Sequence, residues 1–314
     1  MDKIGIVGAG LIGRAWAIVF ARAGFAVALH DRSETIVAAS LATIETSLAD
    51  LAAAGLLADA PQAVRARMRI APTLADALAG AIYVQESLPE LTEVKREVFA
   101  AMDAVAAPAT VLASSTSAIP GSTFTEGLAG RARCLVAHPV NPPHLVPLVE
   151  LCGTPWTAPE TVERARALMT RAGQVPITVQ RELEGFVLNR LQAALLNEAF
   201  RLVDQGYVSA DDLDKTVKDG LGLRWAFMGP METIDLNAPA GVADYLARYS
   251  PFFRRLDAET KAATPWRDAL GARLEAERRR AVPATQLAER QAWRDRRLMA
   301  LLAHKNEMNK PPRE

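Results

Sequence analysis

Cysteine is nearly absent: Cys134 and Cys152 are the only two in 314 residues. Two thiols are too few for a disulfide framework, and their spacing matches no metal-ligand pattern. The chain is therefore expected to work in a reducing compartment, the cytoplasm by default, and without a metal. An excess of charge of either sign is missing as well, since 36 Lys and Arg balance 36 Asp and Glu. With no global field to steer it, neither nucleic acid nor an anionic membrane surface is expected as a partner. No segment is expected to supply the roughly 20 apolar residues of a membrane span. The opening residues MDKIGIVGAG run straight into a strand-like segment, so neither export nor membrane insertion is expected. Internal repeats and low-complexity tracts are lacking too, although alanine is abundant.

What is present is an apolar content of 50%, enough to bury two cores in a chain that exceeds the usual single-core size. Strand-like runs alternate with helical patterns through the first half. KIGIVGA precedes a helix from about Leu11 to Ala23, and FAVALHD precedes one from about Glu34 to Ala54. MRIAP and AIYVQES follow, then a helix near Glu93 to Ala106, then TVLASST and RCLVAHPV. This alternation predicts a parallel, doubly wound sheet of Rossmann type. A helix over Pro159 to Ala172 and a late strand QVPITVQ complete it. Beyond Glu184 strand signals stop, and GFVLNRLQAALLNEAFRLVDQG reads as a helix ending at a Gly cap. A Rossmann domain over 1–184 and an all-α domain over 185–314 are expected. In the Arg-rich stretch from Leu274 to Arg297, Glu275, Glu277, Glu289 and Asp295 are interleaved at helical spacing. That pairing predicts a solvated or dimer-facing helix and no nucleic-acid surface.

Gly8, Gly10 and Gly13 form GxGxxG between the first strand and the first helix, with Leu11 and Ile12 inside the motif. The first glycine permits the tight turn, the second a close approach of backbone to pyrophosphate, and the third close packing of the helix. Asp31 ends the second strand 18 residues beyond Gly13, near the spacing of an acid that accepts from adenosine ribose hydroxyls. Such a carboxylate repels a 2′-phosphate, so NAD is the expected cofactor despite the neighbouring Arg32. The strand ending in YVQESLPE places Ser87 and Glu90 at the carboxyl edge of the sheet, toward the nicotinamide half, although SLPE also reads as a helix cap.

HPVNPPHLVPLVEL carries His138, Asn141 and Glu150. An imidazole followed by a carboxylate on the next hydrophobic segment is the minimum apparatus for moving a proton at neutral pH. A core histidine is the other reading of the pattern, since His138 follows an apolar strand and precedes Pro139. LASSTSAI offers hydroxyls at Ser114, Ser115, Thr116 and Ser117, and Asn189 lies early on the first helix of the second domain. Each of these also fits a turn, cap or surface position.

GAGLIG, SSTS, the HxxN of His138 and Asn141, the PLVEL containing Glu150, and GFVLNRL together resemble the 3-hydroxyacyl-CoA dehydrogenase superfamily, in the same order and over nearly the whole chain. HPVNPPHLVPLVEL, DGLGLRWAFMGPMETIDLNA and ERQAWRD look most like its lambda-crystallin and L-gulonate 3-dehydrogenase branch. The resemblance implies a His138 base supported by Glu150, with Ser117 and Asn189 bonding the substrate oxygen and Asn141 positioning substrate and nicotinamide. It also places Ser87, Glu90 and Lys95 against the cofactor and implies a homodimer. An exposed apolar stripe on the helical domain points the same way. His144 departs from the aromatic residue of most members, and is expected as pocket lining or loop.

LGLRWAFMGP differs from acyl-CoA members in carrying Arg224. A guanidinium suits bidentate pairing with the free carboxylate of a 3-hydroxy acid, and a helix-capping or dimer salt bridge is its other reading. L-gulonate is the first substrate implied, L-carnitine the second and a short-chain 3-hydroxyacyl-CoA the third. Trp225, Phe227, Tyr245 and Phe252 are the aromatics available for a quaternary ammonium. A structural, crystallin-like NAD-binding role is the competing class, and a buried charged pair without chemistry to perform argues against it.

Overall fold

A computed structural model describes residues 1–261 and 268–309. Parts of the expected 185–314 domain, residues 262–267 and 310–314, lie outside the described residues. The chain falls into two units, Met1–Asn189 with Arg294–Glu314, and Arg190–Trp293. The division between these compact units falls after Asn189, and residues 294–309 group with the first unit.

The first unit is built on eight strands, β1 (Lys3–Val7), β2 (Ala26–His30), β3 (Met68–Ile70), β4 (Ala81–Glu86), β5 (Val111–Ser114), β6 (Cys134–Pro139), β7 (Leu148–Gly153) and β8 (Val175–Val179). Their order is β3-β2-β1-β4-β5-β6-β7-β8. The helices are α1 (Leu11–Arg22), α2 (Glu34–Ala53), α3 (Pro61–Ala66), α4 (Leu74–Leu78), α5 (Thr92–Val105), α6 (Ser122–Thr125) and α7 (Pro159–Arg171). Successive strand residues face opposite layers. Ile4, Ile6, Val27, Leu29, Val111, Ala113, Leu135 and Ala137 join one buried cluster, whereas Val7, Ala28, Leu112, Cys134 and Val136 join the other. Both faces are therefore covered, as a parallel sheet requires.

One pairing departs from the parallel expectation: β6 and β7 are antiparallel. The eight residues between them, 140–147, are fewer than the dozen or so that a parallel crossover needs, so the chain must turn back as a hairpin. β8 then runs parallel to β7. The chain order reverses between β2 and β4, on either side of β1. In doubly wound sheets ligands bind at that switch point, here outside the carboxyl ends of β1 and β4.

Helix α8 (Leu188–Asp204) starts in the first unit. The second unit continues with α9 (Ala210–Lys215), a π-helical turn at Thr216–Leu221, α10 (Gly222–Trp225), α11 (Pro230–Leu236), α12 (Gly241–Lys261) and α13 (Asp268–Ala281). Ser209 caps α9 by accepting from Asp212 N at 3.1 Å. In the Arg-rich stretch, Arg279 pairs with Glu275 one turn away and Arg294 with Asp295. The last helix, α14 (Leu287–Met308), passes back to the first unit, where Met299 is buried in the core.

Candidate active site

Two glycines of the GxGxxG loop stand where a side chain has no room. Gly8 has φ +99°, and a Cβ there would lie 2.6 Å from the Ser87 carbonyl oxygen. A Cβ at Gly13 would lie 1.8 Å from the Gly8 carbonyl, so α1 can approach its own loop only without a side chain. Around Gly10 nothing comes within 4 Å of that position, which leaves the backbone open at the N-terminus of α1. The first-turn N–H groups of a helix have no intrahelical acceptor and favour an anion. Asp31, at the end of β2, accepts from Ala9 N at 2.8 Å through Oδ2 and from Ser33 N at 2.9 Å through Oδ1. Each oxygen keeps a second lone pair, so Asp31 ties down the loop and can still accept from ribose hydroxyls. Leu11 is half exposed at the loop's rim and Ile12 partly buried behind it. These residues fit NAD: Gly8, Gly10 and Gly13 would hold its pyrophosphate and Asp31 its adenosine ribose.

Beneath the loop runs a buried polar network that sequence reasoning missed. Tyr83 OH donates to Gln85 Oε1 at 2.5 Å, and Gln85 Nε2 donates to Ser115 Oγ at 2.7 Å. Trp16 Nε1 donates to the same Ser115 oxygen at 3.1 Å. With both lone pairs of Ser115 taken, its own proton goes to Ser87 Oγ, 2.9 Å away. Ser87 thus accepts from below, and its hydroxyl proton is free to be donated elsewhere.

A second buried cluster joins β4, α5 and the SSTS loop. Lys95 Nζ lies 3.2 Å from both oxygens of Glu86 and 3.4 Å from Glu90 Oε2. Glu86 also accepts from Ser114 Oγ at 2.5 Å and Leu88 N at 2.6 Å. Burial raises the Glu86 carboxyl above the ordinary range, opposed by Lys95, Ser114 and Leu88. Glu90 Oε1 accepts from Thr116 Oγ1 at 2.5 Å, Ser117 N at 2.8 Å and Ala118 N at 3.0 Å. Partial burial opposes the charge of Glu90, but Thr116, Lys95, Ala118 and Ser117 outweigh it and hold its carboxyl below the ordinary range. Of the three cofactor residues expected here, Ser87 and Glu90 keep accessible surface. Lys95 is 1% exposed and spends its ammonium on the two glutamates.

The β6–β7 hairpin sets His138 directly opposite Glu150. His138 Nδ1 and Glu150 Oε2 are 2.7 Å apart, and both residues are buried. Glu150 Oε1 accepts from Val187 N at 2.9 Å and Leu188 N at 3.0 Å, at the start of α8. Burial penalises the charge of Glu150, yet the hydrogen bonds from His138, Leu188 and Val187 outweigh it and hold its carboxyl below the ordinary range. A carboxylate has no proton to give, so Nδ1 carries the shared one and Nε2 keeps the lone pair of a base. Asn189 Nδ2 donates to the Ser117 carbonyl at 2.8 Å, tying α8 to the SSTS loop. The Ser117 and Asn141 side chains are exposed, Asn141 preceding a cis peptide bond to Pro142. His138, Glu150, Ser117 and Asn189 are thus brought together through hydrogen bonds. Arg224 lies in α10 of the second unit, exposed to solvent.

His144 is buried rather than an open loop residue. Its backbone carbonyl accepts from Arg22 Nη1 at 2.8 Å, and its ring Nδ1 has no protein partner. Burial, then Arg22 and Arg14, lower it to about 4, so it is neutral at pH 7. Burial pushes the thiols of Cys134 and Cys152 up to about 12, which leaves them inert. Among the described residues no group of three or more His, Cys, Asp and Glu side chains is placed to hold a metal ion.

A GxGxxG loop at the carboxyl end of β1 and a carboxylate-backed imidazole on the same sheet define a nicotinamide-linked dehydrogenase, in which NAD would supply the hydride acceptor and the side chains handle the proton. Comparison with known proteins gives the family. The NAD binding domain of 3-hydroxyacyl-CoA dehydrogenase matches residues 3–183, and its C-terminal domain matches residues 185–278. The chain belongs to the 3-hydroxyacyl-CoA dehydrogenase family and is an NAD-dependent oxidoreductase acting on CH–OH. It is 41% identical over 307 residues to lambda-crystallin of Oryctolagus cuniculus, covering 96% of each chain. It is 38% identical over 250 residues to L-carnitine dehydrogenase of Streptomyces griseus, covering 79% of this chain and 74% of that one. Among solved structures it resembles 5-formyl-3-hydroxy-2-methylpyridine 4-carboxylic acid 5-dehydrogenase, an NAD+ dependent dismutase, with TM-score 0.83, 29% identity and coverage of 96% and 97%.

Proposed function

We propose that the chain oxidises the 3-hydroxyl of a small 3-hydroxy acid with a free carboxylate, L-gulonate first among them. His138 takes the hydroxyl proton as hydride leaves C3, and Glu150 stabilises the imidazolium that forms. Ser117 and Asn189 bond the substrate oxygen, where charge builds on the way to a carbonyl. Asn141 positions substrate and nicotinamide, and Ser87 and Glu90 form the nicotinamide side of the cofactor site, with the buried Lys95 holding Glu90 from behind. The proton-transfer part rests on the 2.7 Å contact between His138 and Glu150.

The choice of a carboxylate rests on Arg224. It follows a π-helical turn at Thr216–Leu221, a distortion frequent at functional positions. Its guanidinium is exposed and has no carboxylate partner among the described residues. Relatives named for carnitine and for a pyridine carboxylic acid act on molecules that carry a carboxylate. L-carnitine is the second reading, favoured by the aromatic group on α12, where Tyr245 lies 4.7 Å from Tyr249 and 6.3 Å from Phe253 between ring centroids. Such rings suit a quaternary ammonium. A 3-hydroxyacyl-CoA is third, and a purely structural NAD-binding role is disfavoured by the expense of a buried dyad with nothing to do. The proposal extends to a cytoplasmic homodimer, supported by the exposed Leu246, Phe252 and Phe253 of the helical unit.

Specificity constants for L-gulonate, L-carnitine, 3-hydroxybutyrate and 3-hydroxybutyryl-CoA test the assignment, in the wild type and in Arg224→Lys and Arg224→Met. The free acids are expected to lead, L-gulonate first, with both variants losing ten-fold or more on them. A thioester used best, with Arg224→Met within a few-fold of wild type on acids, contradicts the proposal.

A further inference from the structure

We propose that Phe186 is a positioning residue for His138, and that residues 185–189 form a clamp setting the dyad and the SSTS loop in register; this rests on His138 being the base. Phe186 has φ +48° and is the only residue other than glycine with positive φ among the described residues. It follows Gly185, at φ +74°. A bulky side chain adopts this conformation only where its surroundings over-determine it, and such residues concentrate at functional sites.

What holds Phe186 there is visible on both sides. Its ring is fully buried and lies 5.5 Å from the His138 ring between centroids, at 34°. Its backbone N–H reaches the Leu183 carbonyl at 3.3 Å, and the Gly185 N–H reaches the Ala118 carbonyl at 3.4 Å. Two left-handed residues in succession swing the chain so that the next two N–H groups, of Val187 and Leu188, converge on one oxygen of Glu150. That oxygen is then committed, and only Oε2 remains for His138. One residue further, Asn189 bonds the Ser117 carbonyl.

Five consecutive residues therefore touch three parts of the site: the imidazole, the carboxylate and, at both Ala118 and Ser117, the SSTS loop. The Phe186 ring walls the imidazole on one face while the helix start fixes the carboxylate's rotation. Ring rotation of His138 and loss of the Nδ1 to Glu150 bond are thereby opposed together. The dyad and the ring are buried together, where low local dielectric strengthens a charge-assisted hydrogen bond. An aromatic residue that served only to fill the adjoining apolar cluster would need neither the strained backbone nor the imidazole at its face.

The test compares wild type, Phe186→Leu and Phe186→Ala by 15N spectroscopy of the histidine side chains and by steady-state kinetics. Leucine keeps most of the apolar volume and loses the flat ring, so it decides the matter if the alanine variant fails to fold. Wild-type His138 is expected as a single tautomer with the proton on Nδ1. In Phe186→Leu a mixed tautomer population is expected, with kcat down at least ten-fold and KM for NAD within two-fold. Wild-type imidazole signals in Phe186→Leu, with kcat within two-fold, overturn the proposal. The spectra need no substrate, so they decide the positioning role even if none of the four alcohols above is turned over.

Discussion

Glu150→Gln is the perturbation whose consequences the geometry sets out most fully. Three donors meet the carboxylate: His138 Nδ1 on one oxygen, Val187 N and Leu188 N on the other. Glutamine offers one carbonyl oxygen and an NH2 group. If the carbonyl stays with the two backbone N–H groups, the NH2 faces Nδ1, which must then give up its proton and accept. The ring proton moves to Nε2, the nitrogen that has to act as base. The imidazolium also loses a charge-assisted partner worth ~1.5–3 kcal/mol, equivalent to roughly 10- to 150-fold in kcat at 1.36 kcal/mol per factor of ten. If the amide flips to serve His138, two N–H groups at the start of α8 lose their acceptor, at about 1 kcal/mol or more each in stability. The assay pairs kcat at saturating NAD with thermal unfolding. One of the two must fall, and NAD affinity must not. A variant with kcat within three-fold of wild type and an unchanged unfolding temperature refutes the description of this carboxylate.

The glycine geometry separates two variants with the same binding defect. Gly13→Ala, whose methyl meets the Gly8 carbonyl at 1.8 Å, should unfold several degrees lower and lose NAD; Gly10→Ala, with nothing within 4 Å, should keep its stability and lose NAD affinity ten-fold or more. Equal melting temperatures would contradict this. His144, lowered by burial to about 4 from 6.5, leaves the native chain short of a proton that the unfolded chain binds. Its contribution is complete above pH 6.5, declines as pH falls, and is spent near pH 4, for a total of ~3 kcal/mol at 1.36 kcal/mol per pH unit. Urea unfolding between pH 7.5 and 4.5 should show a slope that His144→Phe flattens. An unchanged slope in the variant would remove His144 as its source.

The parts of this site legible in the sequence are those whose geometry is dictated by local spacing. GxGxxG followed by Asp31 announced the cofactor loop because tight turns and close backbone approach select glycine at fixed offsets. His138 and Glu150 were visible as a pair, but their partnership comes from the antiparallel register of β6 and β7, which the parallel expectation hid. The short HPVNPPHLVPLVEL connection held the clue, since a parallel return was too long for it. Lys95 could not be placed from sequence, because whether a lysine snorkels outward or pairs inside depends on Glu86 and Glu90 across the fold. Phe186 left no signal, since positive φ is encoded only where glycine marks it. Met299 joins the first core from the far end of the chain, a non-local contact that periodicity does not carry.

NADH formation from L-gulonate and NAD by the wild type and by His138→Asn is the most direct test of the dyad as the base of an alcohol-oxidising site. The account predicts turnover by the wild type, and a loss of about 10²- to 10⁴-fold in kcat on removing the general base with the dissociation constant for NAD unchanged. A His138→Asn enzyme that keeps its turnover, or a wild type that binds NAD and oxidises neither L-gulonate nor any other 3-hydroxy acid, would contradict it.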